Sequence, residues 1–528
     1  MKCKIERTFA ISILAAIATA GCQSGSGNGG SNGSSGDFLD SGQTQSFFRA
    51  IQIDPQAEDT AGPQFVASGD FNNDGRIDLV SAWNESQPIQ IHIQQDPGLF
   101  GNIVFATVPL GGTTPIAYTS DLKVADMDQD GFDDVVVLVK DTGLVPQCDL
   151  SREDCDVTEN GGFLEDALQG AIVIFFNPQD PTGLPWEGVT LPQSVLAGTS
   201  EGELPETGGY TSMDVGDIDN INGPDIVVAL NSPEGDPAVE PKTNRIDVYP
   251  NTGGATARNP ENWARYTIHK DRPQVSDCRI TDVDDDGDND VIVTFPNAKN
   301  ANIRWLPNPL SFGAEGNVLE EWPPHAPIGQ IATNANVIEL GDIDGDGHQD
   351  VMVRSSAGKV IQWFRRPESP SATFIRSPWQ VFTVAEFAER APGAIALGDL
   401  TGDGKLDAAI AAEGAVAWFT PFSSTDPNST FELWRENLII DDGPPPEDAQ
   451  NATDPQSDPG TSVDPATGQT VITDPNANPQ ATAGTLVNTM LILDVDGDGR
   501  NDIVGTLDRN ALSGLSNDAL VLFLNTGF

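Results

Sequence analysis

Residues 341–350 read GDIDGDGHQD, so four aspartates lie within ten residues. Carboxylates this close repel one another and disfavour a compact chain unless positive charge accompanies them. The pattern D-x-D-x-D-G-x-x-D recurs along the chain with variations, and we number its copies loops 1 to 7 and the positions within each copy 1 to 9. The seven copies start at Asp70, Asp126, Asp217, Asp282, Asp342, Asp399 and Asp494.

The repeated pattern predicts calcium loops. Ca²⁺ takes about six to eight oxygen ligands, which side chains at positions 1, 3, 5 and 9 and the backbone carbonyl at position 7 can supply. Glycine at position 6 allows the tight curl that brings these oxygens together. The predicted ligands are Asp70, Asn72, Asp74, Arg76 and Asp78; Asp126, Asp128, Asp130, Phe132 and Asp134; Asp217, Asp219 and Asp225; Asp282, Asp284, Asp286, Asp288 and Asp290; Asp342, Asp344, Asp346, His348 and Asp350; Asp399, Thr401, Asp403, Lys405 and Asp407; and Asp494, Asp496, Asp498, Arg500 and Asp502.

The copies differ in quality. Loop 3 has Ile221 at position 5 and its glycine is displaced to Gly223, so we expect weak or absent metal there and about six sites in the chain. Loops 1 and 6 carry Asn72 and Thr401 at position 3, and both side chains still offer an oxygen. At position 7 only the carbonyl is needed, so we expect its side chain to vary freely.

The flanks of the loops predict strands rather than helices. No copy has the glutamate at position 12 that an EF-hand needs, and β-branched runs such as VIV at 291–293 follow the loops. Further apolar runs give about four strands per repeat. This predicts an all-β, seven-bladed β-propeller of four-stranded antiparallel blades. Because the chain stops after the third strand of the last repeat, we expect segment 46–54 to supply that blade's outer strand.

Loops and strands together resemble the FG-GAP or VCBS repeats of calcium-binding propellers such as those of integrin α-chains. The resemblance covers residues 46–528, and the metal loop is its most specific part. It implies structural calcium and a role in adhesion or partner binding, and it identifies no partner.

The first residues resemble a bacterial lipoprotein signal. Basic residues precede the apolar run FAISILAAIATAG, which ends before Cys22. We predict a signal peptide over 1–21, lipidation at Cys22 and a Gly/Ser tether over 22–45. The alternative is a plain signal peptide with a chance cysteine. Export and anchoring in the cell envelope follow from the first interpretation, and Gln23 favours the outer membrane.

Charge and cysteines set further limits. The chain has 79 acidic and 27 basic residues and a formal charge of −52, which argues against nucleic acid as a partner and leaves the lipid anchor as the only predicted membrane contact.

In an oxidising compartment Cys148 and Cys155 could form a disulfide, with Cys278 left over and buried. Insertions are predicted at 141–169 and 441–484, and the second is too polar to bury a core.

A binding scaffold is the preferred function. We predict no catalytic residues, since no GxSxG, HExxH or P-loop pattern is present. The expected role is a lipid-anchored, calcium-stabilised scaffold that recognises an envelope protein or a glycan. The alternative is a carbohydrate-active enzyme, either a polysaccharide lyase or a hydrolase, or a lectin, on the same propeller. Most tryptophans recur in register and predict packing between blades, whereas Trp83 and Trp186 are candidates for sugar stacking.

Overall fold

Each of the seven loops joins two antiparallel strands in the computed structural model of the chain. Blade n is the four-stranded sheet whose first and second strands are joined by loop n. The structure describes residues 48–53, 62–83, 88–96, 103–110, 119–139, 145–146, 163–164, 171–191, 209–231, 244–270, 274–296, 298, 301–312, 318–322, 326–331, 334–367, 378–388, 390–412, 415–422, 433–441, 461–463, 470–472, 488–507 and 519–527.

The first three blades follow the chain from its described start. Blade 1 consists of β2 (Pro63–Gly69), β3 (Asp78–Trp83), β4 (Gln90–Gln94) and β5 (Phe105–Pro109). Blade 2 consists of β6 (Thr119–Ala125), β7 (Asp134–Val139), β10 (Ala171–Phe176) and β11 (Glu187–Thr190). Blade 3 consists of β12 (Gly209–Gly216), β13 (Asp225–Asn231), β14 (Arg245–Tyr249) and β15 (Tyr266–Lys270).

The remaining blades repeat the same order. Blade 4 consists of β16 (Asp277–Thr281), β17 (Asp290–Thr294), β18 (Ile303–Leu306) and β19 (Ala326–Gly329). Blade 5 consists of β20 (Val337–Gly341), β21 (Asp350–Ser355), β22 (Val360–Arg365) and β23 (Gln380–Glu386). Blade 6 consists of β24 (Pro392–Gly398), β25 (Asp407–Ala412), β26 (Ala415–Phe422) and β27 (Leu433–Asp441). Blade 7 consists of β30 (Met490–Leu493), β31 (Asp502–Leu507), β32 (Ala519–Asn525) and β1 (Phe48–Ile53).

A few short elements lie outside the blades. Within the two insertions, β8 (Val145–Pro146) pairs with β9 (Phe163–Leu164), and β28 (Thr461–Val463) pairs with β29 (Thr470–Ile472). Short 3₁₀ helices are described at Gly254–Thr256, Pro260–Asn262 and Pro309–Phe312. In the described ranges, no helix is long and apolar enough to cross a membrane.

The blades close into a ring. The first strands β2, β6, β12, β16, β20, β24 and β30 each contact the first strands of both neighbouring blades, and β30 contacts β2. This arrangement confirms the predicted seven-bladed propeller. The predicted N-terminal strand is also found: β1 lies at the outer edge of blade 7, antiparallel to β32, with Phe48 opposite Asn525 and Ile53 opposite Leu520.

The hydrophobic core lies between blades. Seven clusters of buried apolar residues are found, one for each pair of neighbouring blades. Second strands are apolar on both faces, as in β7, because each one is covered by a blade on either side. Trp305, Trp363 and Trp418 on the third strands are all buried in these clusters, which confirms the predicted packing role.

The two proposed sugar-stacking tryptophans are buried, so that prediction is wrong. Trp83 is 0% exposed and its indole N–H donates to Ser81 Oγ at 2.8 Å. Trp186 is 6% exposed, donates to the carbonyl of Pro181 at 3.2 Å and packs edge-on against Phe71. Neither ring offers a face to a sugar.

The outcome for the other sequence predictions is mixed. Cys278 is buried and free, as expected. Cys22, Cys148 and Cys155 lie outside the described residues, as do the predicted signal peptide and tether over 1–45 and most of both insertions.

A polar residue at the end of the third strand, or one or two residues beyond it, ties each of six blades to the blade before it. Its side chain donates to the backbone carbonyl at position 2 of the preceding blade's loop, as Asn308 Nδ2 does to Ile218 at 2.9 Å. In blade 1 the preceding blade is blade 7, which Gln94 reaches through Val495. We call these the latch residues: Gln94, Asn177, Asn251, Asn308, Arg366 and Asn525.

Replacing Asn308 with alanine is expected to lower the free energy of unfolding by about 1–3 kcal/mol, because two buried carbonyls lose their donor. Asn308 is fully buried and its amide also reaches the carbonyl of Asn289 at 2.7 Å. The measurement is the urea midpoint. Asn437→Ala is the control, since that amide donates to Arg435 two residues away at an exposed position. Equal midpoint shifts in the two variants would contradict the latch.

Candidate metal centres

The aspartate at position 1 shapes six of the seven loops, loop 3 being the exception. In loop 2, Asp126 Oδ1 accepts the backbone N–H of Asp130 at 3.0 Å and Oδ2 accepts that of Gly131 at 2.9 Å. Loops 1, 4, 5, 6 and 7 repeat both hydrogen bonds. The backbone therefore curls around the first carboxylate, and the other carboxylates are turned towards it.

Two positions of the loop have left-handed backbone geometry. Gly131 at position 6 has φ +90°, as the sequence predicts, and Gln129 at position 4 has φ +58°. All seven loops share the positive φ at position 4, which the sequence interpretation missed. The sequence did carry a signal for it, because position 4 of the other six loops is Asn, Asp or Gly, and these residue types tolerate a positive φ. These residues are Asn73, Asn220, Asp285, Gly345, Gly402 and Gly497.

The aspartate at position 9 is buried and joins three parts of its blade. In loop 4, Asp290 Oδ2 accepts the N–H of Val283 at position 2 at 3.0 Å. Its Oδ1 accepts the N–H of the latch residue Asn308 at 2.6 Å. Burial raises the pKa of position 9 carboxyls, to about 8 for Asp290 and to about 6 for Asp502. The position 9 side chain is thus a structural tie as well as a predicted ligand.

Five loops bring three carboxylates together within 4.8 Å of one another. Loops 2, 3, 4 and 7 do so with positions 1, 3 and 9, and loop 5 with positions 1, 3 and 5. The groups are Asp126, Asp128 and Asp134; Asp217, Asp219 and Asp225; Asp282, Asp284 and Asp290; Asp342, Asp344 and Asp346; and Asp494, Asp496 and Asp502. In the described parts of loops 1 and 6, which have Asn72 and Thr401 at position 3, no such group of three is found.

These groups fit a hard divalent cation. The sets consist of carboxylates only, which suits a cation that prefers oxygen to nitrogen or sulfur. Asp128 Oδ1 and Asp217 Oδ1 are buried carboxylate oxygens that receive no hydrogen bond from the described residues. A buried oxygen without a donor is costly, and a cation between the three carboxylates would satisfy it. Loop 3 therefore keeps three carboxylates that could hold a cation, even though Ile221 replaces the aspartate at position 5.

Arginines near loops 2 and 5 were not predicted. Arg258, between the third and fourth strands of blade 3, lies with Nε 2.5 Å from Asp128 Oδ2 in loop 2. Arg365, at the end of β22, contacts Asp344 and lies 3.7 Å from Asp346. Each guanidinium offsets part of the carboxylate charge. No local sequence pattern could have predicted the contact between Arg258 and Asp128, because the two residues lie 130 positions apart in the chain.

Side chains at position 7 vary between loops, as expected, but three basic ones also contact loop carboxylates, which the sequence interpretation missed. Arg76 and Arg500 each bond the position 5 carboxylate of their own loop, Asp74 and Asp498. His348 reaches the neighbouring loop, with Nδ1 3.0 Å from Asp285 Oδ2. A basic side chain at this position reduces repulsion among the carboxylates in addition to offering its carbonyl.

Neighbouring loops also contact one another. Asn73 in loop 1 donates its amide to the carbonyl of Gly131 in loop 2 at 2.8 Å. Asp133 Oδ2 accepts the backbone N–H of Asp70 at 3.0 Å, and Asn220 in loop 3 donates to Asp288 in loop 4 at 2.7 Å. Through such contacts these loops form a continuous face of the ring.

Comparison with known proteins agrees with this geometry. The family model described as FG-GAP-like repeat matches residues 70–137, 282–353 and 342–410, which contain loops 1, 2, 4, 5 and 6. None of the curated proteins compared with the chain matches it.

Two solved structures illustrate the likeness of shape. The crystal structure of BBS1N in complex with ARL6DN has a TM-score of 0.45 and 13% identity, and the match covers 91% of this chain and 97% of that one. The Bacillus licheniformis rhamnogalacturonan lyase PL11 has a TM-score of 0.40 and 12% identity, with 91% and 76% covered. Neither likeness bears on function.

Replacing Ile221 with aspartate is expected to raise the calcium affinity of loop 3 about tenfold or more, because it adds a charged ligand at position 5. Ile221 is 56% exposed, so the change buries no new charge in the core. Calorimetric titration of metal-free protein with Ca²⁺ measures the effect, and Ile221→Ala is the control. Identical isotherms for the two variants would exclude loop 3 as a metal site.

Proposed function

We propose that the chain, a β-propeller with FG-GAP-like repeats at 70–137 and 282–410, is a calcium-stabilised binding scaffold, anchored at Cys22 in the bacterial cell envelope, that recognises a protein or a glycan. The observation that carries this proposal is the continuous face of loops held by the ring. Each loop is fixed to its own blade by position 9, and contacts such as Asn73 with Gly131 link several neighbouring loops. A surface held this firmly loses little conformational entropy when a partner binds.

Calcium is the cation that suits these loops. The oxygen-only carboxylate groups match its ligand preference. Export, as predicted from residues 1–22, would place the loops where calcium is plentiful, so sites of Kd about 10⁻⁴–10⁻³ M would be filled. Mg²⁺ is less suitable, because it demands near-ideal octahedral geometry and keeps several waters.

The excess of acidic residues is consistent with this setting. With 79 acidic against 27 basic residues, the chain needs external cations to offset its charge. The Gly/Ser segment after Cys22 would act as a flexible tether between a lipid and the first blade. The scaffold would then stand away from the membrane and meet its partner there.

Chelation with EDTA is expected to lower the melting temperature, because each site filled at ten times its Kd stabilises the native state by about 1.4 kcal/mol. Asp346→Ala should lose one bound Ca²⁺ per chain and show a smaller EDTA effect. Atomic spectroscopy gives the stoichiometry and calorimetry the melting temperature. Asp96→Asn, an exposed acid outside the loops, is the control. An unchanged stoichiometry in Asp346→Ala would refute the loop 5 site.

The scaffold function predicts calcium-dependent retention of a partner without turnover. The mature chain is immobilised and exposed separately to envelope proteins and to a panel of polysaccharides, with Ca²⁺ or with EDTA. We expect a defined protein or glycan to be retained with Ca²⁺ and released by EDTA. Oligosaccharide products in the flow-through would instead establish the carbohydrate-active enzyme, and retention that ignores EDTA would reject the role of calcium.

A further inference from the structure

A cavity of about 580 Å³ lies on the axis of the ring, lined by the first strand of every blade. Its charged lining residues come from blades 2, 4 and 5 alone, while blades 6 and 7 contribute apolar side chains such as Ala394 and Met490. A cavity of this size is within the range of small-molecule sites, about 300–1,000 Å³. It is separate from the loop face proposed above, and the inference does not depend on that proposal.

Two acid–base pairs in the lining are explained by the fold. Lys123 Nζ lies 3.5 Å from Asp121 Oδ1, and Arg279 Nη1 lies 2.5 Å from Asp277 Oδ1. Each acid also holds the next blade. Asp121 Oδ2 accepts the N–H of Met213 at 2.9 Å, and Asp277 Oδ2 accepts that of Ile338 at 2.7 Å. These four charged side chains are satisfied without a ligand.

Arg354 on β21 is not satisfied by the fold. Its guanidinium forms no hydrogen bond or ion pair with the described residues, and its Nε is a buried donor without an acceptor. Burial lowers its pKa to about 10, so the group keeps its charge at neutral pH. A buried donor without an acceptor is costly. Arg354 is half-buried on the wall of the cavity, where an acceptor on a ligand would satisfy its Nε.

Glu339 on β20, in the same blade, lines the cavity as well. Its carboxyl forms no hydrogen bond or ion pair within the described part of the chain, in contrast to Asp121 and Asp277. Burial raises its pKa to about 7. The cavity thus holds a cation and an acid on neighbouring strands, and neither forms a direct hydrogen bond or ion pair with the described residues, although the charges of Asp277 and Glu339 act on Arg354.

We propose that the axial cavity binds a small monocarboxylate that also carries a hydrogen-bond donor, with Arg354 holding the carboxylate and Glu339 the donor. The planar guanidinium matches a carboxylate with two parallel hydrogen bonds. Glu339 accepts from a hydroxyl or ammonium group of the same molecule. Dianions such as phosphate bind poorly, because Asp121, Asp277 and Glu339 repel a second negative charge.

The test is calorimetric titration of the calcium-loaded chain with glycine, L-lactate and D-gluconate. The amide of each acid is the match that lacks the carboxylate charge, and inorganic phosphate is the dianion. We expect saturable one-to-one binding of at least one of the three acids with Kd below about 1 mM, and none of the amides or of phosphate. Failure of all three acids to saturate overturns the proposal, as does equal binding of an acid and its amide.

Variants locate the site. Arg354→Gln is expected to weaken binding about 10- to 100-fold, since a charge-assisted pair is lost, and Arg354→Lys to weaken it less. Glu339→Gln should change the preference between glycine and L-lactate. Lys270→Gln, an exposed residue on the outer strand of blade 3, is the control and should bind as the natural chain does. If Arg354→Gln fails to fold, the affinity of Arg354→Lys is measured instead. A folded Arg354 variant that binds the acid as tightly as the natural chain overturns the proposal.

Discussion

Each blade depends on the hydrogen bonds that the buried aspartate at position 9 accepts. Its two oxygens accept one N–H from the loop and, in six blades, one from the latch residue near the end of the third strand. Without this carboxylate, two buried backbone donors would be left without partners, which costs about 1–3 kcal/mol for each group. The same burial raises the pKa of the carboxyl, as at Asp290. A nearby cation would favour the ionised form, so the proposed metal and the fold would act on the same carboxyl group.

The latch residues add directional hydrogen bonds between neighbouring blades, which apolar packing alone does not supply. Each interface has its own apolar cluster, and hydrophobic burial tolerates small sliding between sheets because it is not directional. The latch residue bonds its own blade through its backbone N–H and the preceding loop through its side chain. Asparagine fills this position in four blades, and Gln94 and Arg366 supply equivalent donors in two others. A donor of suitable reach is therefore the requirement, not a particular residue type.

The fold could be predicted from the sequence because its signals are local. One nine-residue pattern fixes the bend between two strands, its seven copies give the number of blades, and the missing last strand points to segment 46–54. Five of the seven loops also bring three of their predicted carboxylates together. The partners from elsewhere in the chain could not be predicted. Arg258 reaches loop 2 from another blade, and the burial of Trp83 and Trp186 depends on the tertiary packing around them.

Acids are stabilised in two different ways in this one ring. In the loops, groups of carboxylates outnumber the nearby basic side chains, so their repulsion falls when an exchangeable cation binds. Around the axis, Asp121, Asp214 and Asp277 each accept a backbone N–H from the next blade and lie beside Lys123 or Arg279. The axial contacts belong to the chain itself and do not need calcium. Loss of the proposed calcium would therefore act first on the loop face, while the inner strands keep the links that hold neighbouring blades around the cavity.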